Sequence, residues 1–288
     1  MKTERPQAFD RVAIAAARDR FFAPVGKRPV LMGIVNVTPD SFSDGGLFVS
    51  KEAALAQARK LVADGADIVD VGAESTRPGH TPVSPEEEWA RLEPVLAALV
   101  EGAGAPVSID TYKASTARRA LAVGVAVVND VWGLQRDPDM ACAVAEAGAG
   151  VVVMHNRDAI DPAIDIVADM LRFFEHSLNL ARRAGVSMAH VALDPGVGFG
   201  KTREQNYAAL RAIPRLLTLG CPLLVGVSRK SIFKDLAGGI VEGRLLGTLA
   251  ANLACAEKGA QIFRIHDVAD HRGAFAVRAA LCDGPTAS

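Results

Sequence analysis

From about residue 29 onward the chain alternates two textures: short runs of Val, Ile and Leu, and longer Ala-rich stretches with charges at helical spacing. The apolar runs are Pro29–Val37, Asp67–Gly72, Pro106–Asp110, Val125–Asp130, Gly150–His155, Val191–Asp194, Pro222–Val227 and Gln261–His266. Continuous apolar runs of this length predict strands buried on both faces, as in parallel sheets. The stretches between and after them predict helices over Lys51–Asp64, Pro85–Glu101, Lys113–Val123, Asp137–Ala147, Asp161–Ala184, Glu204–Leu219, Arg244–Lys258 and Val268–Leu281. Five of these are followed by a glycine (Gly65, Gly124, Gly148, Gly185, Gly259), the residue a helix C-cap favours. Each unit spans about 32 residues, close to the size of a βαβ repeat. Eight such units without a second composition zone favour a single-domain α/β fold, a (β/α)8 TIM barrel over residues 29–282, rather than a doubly wound sheet. Residues 1–28 form a short leader with no element assigned, and 283–288 a tail.

Composition narrows the class. Half of the 288 residues are apolar but only 5% are aromatic, so small aliphatics fill the core. The charged share of 23% excludes wholesale disorder. Lys and Arg total 32 against 33 Asp and Glu, which excludes a strongly basic surface and makes nucleic acid a poor partner. No apolar run approaches 18 residues, and Val12–Ala17 is too short for a secretory core, so a cytoplasmic protein without a membrane partner is expected. Cys142, Cys221, Cys255 and Cys282 form no CxxC pair, lie beside Ala, Leu, Val or Pro, and are expected to be small buried thiols.

Function enters at the strand ends. The apolar runs finish in Asn36, Asp70 (with Glu74 beyond), Asp110, Asn129 with Asp130, His155, Asp194, Ser228, and Arg264 with His266. Loop polarity alone accounts for about half of these. In a barrel every C-terminal strand end opens onto one mouth, where active sites lie. Ser108 and Asp110 are two apart and share a face, as do Arg264 and His266. Three loops add to this rim. The first, 36–46, is polar and ends in Gly45-Gly46, and its Asn and Asp oxygens suit Mg²⁺ alongside phosphate. The second, 74–79, holds Arg77 in a stiff turn suited to an anion. The third, 194–202, ends in Gly-Lys-Thr, but a phosphate-binding P-loop needs glycine at 195, where Pro195 stands. Its glycines instead let backbone approach a ligand that Asp194 faces. After the seventh strand, Ser231 at the start of a short helix, beside Lys230, offers a carboxylate or phosphate site or an ordinary cap.

With these residues assembled, the chain resembles the dihydropteroate synthases, the folate-pathway members of the pterin-binding enzymes. The resemblance rests on GIVNVTPDSFSDGG (33–46), DIVDVGAESTRPG (67–79), VSIDTYKA (107–114), VVND (127–130), LDPGVGFGKT (193–202), LLVGVSRKS (223–231) and RIHDV (264–268), in order over nearly the whole barrel. Departures are slight: Val197, where the family often has a bulkier residue, and a short Asn156-Arg157-Asp158 loop. The resemblance implies condensation of 6-hydroxymethyl-7,8-dihydropterin diphosphate with 4-aminobenzoate to 7,8-dihydropteroate and pyrophosphate. It further implies that Asp110, Asn129, Asp194 and Lys230 hold the pterin. Arg264, His266 and Asn36 would receive the diphosphate, Asn36 through Mg²⁺. Thr76, Arg77, Pro78, Phe42, Phe199 and Ser231 would frame the aminobenzoate. A dissociative, Mg²⁺-assisted mechanism follows, with Asp40 and Asp44 stabilising a cationic pterin methylene or ordering metal-bound water, and Arg77, Lys230 and Arg264 completing the catalytic set. The family also suggests a homodimer through the later helices, where Leu245–Leu253 and Val277–Leu281 are apolar; core burial explains those stretches equally well.

Two other readings stay open on the residues. A methyltetrahydrofolate:corrinoid methyltransferase would share the pterin carboxylates but has no use for Arg264-Ile265-His266 or the 33–46 loop. A catalytically silent pteridine-binding paralogue should have lost residues of the first two loops, which are complete here.

Overall fold

The computed structural model describes residues 8–37, 51–74, 82–233 and 241–282. In chain order its elements are α1 (Arg11–Phe22), β1 (Val30–Asn36), α2 (Lys51–Asp64), β2 (Ile68–Gly72), α3 (Pro85–Gly102), β3 (Val107–Asp110), α4 (Ala114–Ala122), β4 (Val127–Asp130), α5 (Met140–Ala147) and β5 (Gly150–Met154). They continue with α6 (Ile166–Ala184), β6 (Val191–Asp194), α7 (Arg203–Arg211), α8 (Ile213–Leu216), β7 (Leu224–Val225), α9 (Val241–Glu257), β8 (Ile262–Ile265) and α10 (Val268–Cys282). All strand pairings are parallel, in the order β6-β5-β4-β3-β2-β1-β8-β7. One bridge, Leu193–Leu223, brings β6 to the β7 segment and closes the sheet into the (β/α)8 barrel the alternating texture predicts.

Side-chain parity organises this barrel. Even-numbered residues turn inward and odd-numbered ones outward on every strand except β4, where the phase is reversed and Val127 and Asn129 face in. Leu31, Val35, Val69, Val71, Ile109, Val128, Val151, Val153, Leu193, Val225 and Phe263 face the helices in the large core between sheet and shell. Val30, Met32, Ile68, Val127, Val152, Ala192, Leu224 and Ile262 fill the lower interior. Phe21 of α1 packs into that same inner cluster, so the leader contains a helix that floors the barrel. The start of α1 is capped by Asp10, whose side chain accepts from the Ala13 N–H at 3.0 Å. Arg18 and Arg20 tie the helix to the turns beneath the strands, donating to the carbonyls of Gly148 (2.6 Å) and Gly104 (2.7 Å).

Two expectations need correction. The single helix expected over Glu204–Leu219 divides into α7, α8 and a closing 3-10 turn at Leu217–Leu219. Pro214 causes the break, because it has no N–H to continue the α7 ladder. Cys221 and Cys255 are buried as expected, but Cys142 and Cys282 are exposed on α5 and α10. No helix among the described residues is long and apolar enough to cross a membrane.

Candidate active site

The inward parity carries upward into the mouth and changes chemistry there. Above the apolar layer stand Asp70 on β2, Ser108 and Asp110 on β3, Asn129 on β4, Asp194 on β6 and Arg264 on β8. All but Arg264, which is partly exposed, are buried. Asp70 is their hub. It accepts from the Ser108 hydroxyl (2.6 Å), the Asn129 carboxamide (3.1 Å) and the Arg264 Nε (2.6 Å). Arg264 gives its Nη2 to Asp110 at 2.7 Å. One guanidinium thus serves two carboxylates in a water-poor interior. Burial opposes its charge, but Asp70 and Asp110 outweigh that and hold Arg264 above the ordinary guanidinium range. Asp110 pays the difference: burial, with Asp70 adding to it against the pull of Arg264, raises its carboxyl to about 7. Its Oδ1 is buried and has no hydrogen-bond partner among the described residues. A buried carboxylate oxygen left open in this way is a receptor for a donor on a ligand.

A second group faces this hub from β6 and β7. Asp194 is turned by the Gly196 N–H at 2.7 Å, and burial raises its carboxyl with Lys230 opposing. Lys230 donates to the Val197 carbonyl and lies 4.8 Å from the Phe199 ring centroid. Burial lowers its ammonium to about 8, against the attraction of Asp194. On the rim, Ser228 accepts from the His266 N–H (3.1 Å) and places its hydroxyl 2.9 Å from the His266 Nδ1, orienting the imidazole. Ser231 is exposed and opens a 3-10 turn, Ser231–Phe233, rather than an α-helix. The Tyr207 hydroxyl pins that turn by donating to the Ile232 carbonyl at 2.8 Å. Asn36 ends β1 with inward parity and is exposed at the mouth.

The structure therefore brings together Asp110, Asn129, Asp194, Phe199, Lys230 and Arg264, with Ser231, His266 and Asn36 at the strand-end side of the barrel. Asp40, Phe42, Asp44, Thr76, Arg77 and Pro78 lie outside the described residues. Two strand-end residues of the sequence analysis belong elsewhere. Asp130 has outward parity and accepts from the N–H groups of Trp132 (2.8 Å) and Leu134 (2.7 Å), shaping its own turn. His155 also points away from the hub. Its Nε2 sits 3.2 Å from Asp169, and its ring packs edge-on to Phe173. Burial lowers that imidazole to about 3, so it is neutral. Asp70 and Ser108, both in the hub, are left out of the expected site; each was visible as an inward residue of its strand. Beside the mouth, Lys113 bonds Glu74 and, at 3.0 Å, Glu88, while Thr116 donates to Glu88 at 2.9 Å and Tyr112 to Glu74 at 3.1 Å. This cluster fixes Glu74 against α3 and α4. No cluster of three or more His, Cys, Asp or Glu suited to a metal occurs among the described residues.

Comparison with known proteins meets this geometry from outside. Residues 32–266 match the model of the pterin binding enzyme family. The chain belongs to that family. Its relatives place it among the dihydropteroate synthases: it is 44% identical to the dihydropteroate synthase of Clostridium beijerinckii, over 86% of this chain and 92% of that protein. Two crystal structures of such enzymes overlay closely. The Clostridium difficile enzyme, solved with pteroic acid, gives a TM-score of 0.86 at 44% identity, covering 90% of this chain and 98% of that one. The Xanthomonas albilineans enzyme, solved with 4-aminobenzoic acid, gives 0.85 at 43%, covering 90% and 94%. As a member of this family the chain is a transferase of folate biosynthesis.

Proposed function

We propose that the mouth of this barrel binds 6-hydroxymethyl-7,8-dihydropterin diphosphate and 4-aminobenzoate and joins them into 7,8-dihydropteroate with release of pyrophosphate. The observation that carries the reading is the open, buried Oδ1 of Asp110 beside Asn129, faced by Asp194 and Lys230 and backed by Arg264. A pterin edge presents a guanidine-like row of donors that carboxylates accept, and a ring carbonyl that a lysine meets. Asp110, Asn129 and Asp194 take the donors, and Lys230 takes the carbonyl. Arg264 and His266 receive the diphosphate. Phe199, Ser231 and, by resemblance, Phe42, Thr76, Arg77 and Pro78 frame the aminobenzoate.

The reaction then needs no nucleophile from the protein. The bond between the pterin methylene and the diphosphate oxygen breaks, and its electron pair leaves with pyrophosphate toward Arg264. The cationic methylene is delocalised into the pterin ring, with Asp40 and Asp44 as the acids nearest in role. The neutral arylamine supplies the electron pair of the new C–N bond and sheds a proton. Positioning and fixed charge supply the acceleration. The donor at the end of β1 fits Mg²⁺: the exposed carboxamide of Asn36 offers a hard oxygen that suits an ion which keeps water and takes substrate phosphate. When bound, the ion supplies Lewis-acid neutralisation of the diphosphate charge.

The same reading extends to the whole molecule. Residues 29–282 act as one domain with the leader helix as its floor, in the cytoplasm. A homodimer through the last helices is supported by Leu246, Val277 and Leu281, which are 66%, 61% and 81% exposed. The test is direct: the purified chain with Mg²⁺ should release pyrophosphate only when both substrates are present. Asp110→Asn should abolish measurable pterin binding, and Lys230→Ala should weaken it by about a hundredfold. Silence of the native chain overturns the activity, and normal turnover in either variant overturns the site.

A further inference from the structure

The segment joining β6 to α7 (residues 195–202) supplies both the carbonyl that holds Lys230, from Val197, and the ring that Lys230 lies over, from Phe199. It is not held by a strand or helix ladder. It lies directly on the chain leaving β5. A Cβ on Gly196 would come within 1.8 Å of the His155 carbonyl oxygen, and one on Gly200 within 2.6 Å of the Arg157 carbonyl oxygen. Backbone apposed so closely turns carbonyls toward one another, and a buried carbonyl needs a donor. Lys201 supplies three. Its Nζ reaches the carbonyls of Gly196 (2.8 Å), Phe199 (3.0 Å) and His155 (3.3 Å), and the residue is only 5% exposed.

We propose that Lys201 is a positioning residue for the pterin site: its ammonium, caged by three carbonyls, locks the 195–200 loop onto the β5 exit so that Val197 and Phe199 hold Lys230 in place. The number of donors fits the number of acceptors, since an ammonium has three N–H bonds and accepts none. The charged groups around it are Asp194, Lys230, Asp169 and Arg157. Burial lowers Lys201 to about 7, with Asp194 attracting its charge and Lys230 repelling it. The Gly-Lys-Thr ending that imitates a phosphate loop in sequence thus serves an inward, structural cation. Thr202 next to it begins α7 with a reciprocal cap, accepting from the Gln205 N–H at 3.1 Å and donating its own N–H to the Gln205 side chain at 2.9 Å.

This inference rests on the pterin reading of Lys230, and a double-mutant cycle separates the two. Binding of 6-hydroxymethyl-7,8-dihydropterin diphosphate to the full chain is titrated calorimetrically for the native protein, Lys201→Met, Lys230→Met and the double variant, alongside kcat and KM for both substrates. Lys201→Met is expected to weaken binding at least tenfold and raise the pterin KM more than it lowers kcat. Lys201→Arg, which keeps charge and donors, should recover most of the loss. In the Lys230→Met background the loss should shrink to within threefold, because residues acting through one another are non-additive. An equal loss in both backgrounds, unchanged binding in Lys201→Met, or a failure of both Lys201 variants to fold would overturn the proposal. If the native chain itself does not bind the pterin diphosphate, the pterin reading fails instead.

Discussion

The two ends of the barrel are built from the same strands at the same inward parity, yet one is hydrocarbon and the other is ionic. Below, Val30, Met32, Ile68, Val127, Val152, Ala192, Leu224 and Ile262 close around Phe21 of the leader helix. Two residues further along most of these strands, the same faces carry Asp70, Asn129, Asp194 and Arg264. The lower layer gains from every atom it removes from water. The upper layer holds two carboxylates on one guanidinium and leaves a buried oxygen open. Stability and chemistry are thus separated along the barrel axis, a few ångströms apart.

Arg264→Met breaks that contrast most severely. It leaves Asp70 and Asp110 as neighbouring buried carboxylates without their cation, and removes the group that meets the leaving pyrophosphate. A loss of about 3–5 kcal/mol in stability is expected, with kcat down by about 10³-fold; urea unfolding and steady-state rates measure both. Phe21→Ala strikes the other end alone. It should cost about 3–5 kcal/mol on unfolding while kcat and both KM values stay near native, and a comparable kinetic loss would show that floor and mouth are not separate. Asp110→Asn sharpens the contrast with a smaller effect of opposite sign. Because the folded carboxyl titrates near 7, above its unfolded value of 3.8, the native state retains a proton that the unfolded chain has released between those values. That group's contribution to stability therefore falls as pH rises through the window. The Asn variant, which can still accept from Arg264, should match native stability near pH 4 and exceed it by about 1 kcal/mol at pH 8. That corresponds to about 2–4 °C in a thermal melt; equal melts at pH 8 would count against the buried charge.

The repeat, the barrel and most of the mouth were legible because period and composition are local properties. Alternation along each strand was equally legible and decides more than polarity does: Asp70, Asp110, Asn129, Asp194 and Arg264 stand two residues beyond, or in phase with, inward positions of their own strands and meet, whereas Asp130 and His155 are out of phase with them and turn to their own loops. Asp70 could have been assigned to the site by that rule alone. Lys201 could not, since its partners are carbonyls brought near by folding and leave no trace in side-chain chemistry. The split between α7 and α8 was written in Pro214. The exposed Cys142 and Cys282 were not, because apolar neighbours along a helix do not say which face a residue occupies.

The single bridge between Leu193 and Leu223 gives the barrel a seam. β7 is only two residues long, so this is where the hoop has least backbone to hold it. Asp194 stands on one side of the seam and Lys230 follows from the other. A pterin gripped by both would act as a rivet across the joint, so that occupancy of the mouth and integrity of the hoop become one linked equilibrium.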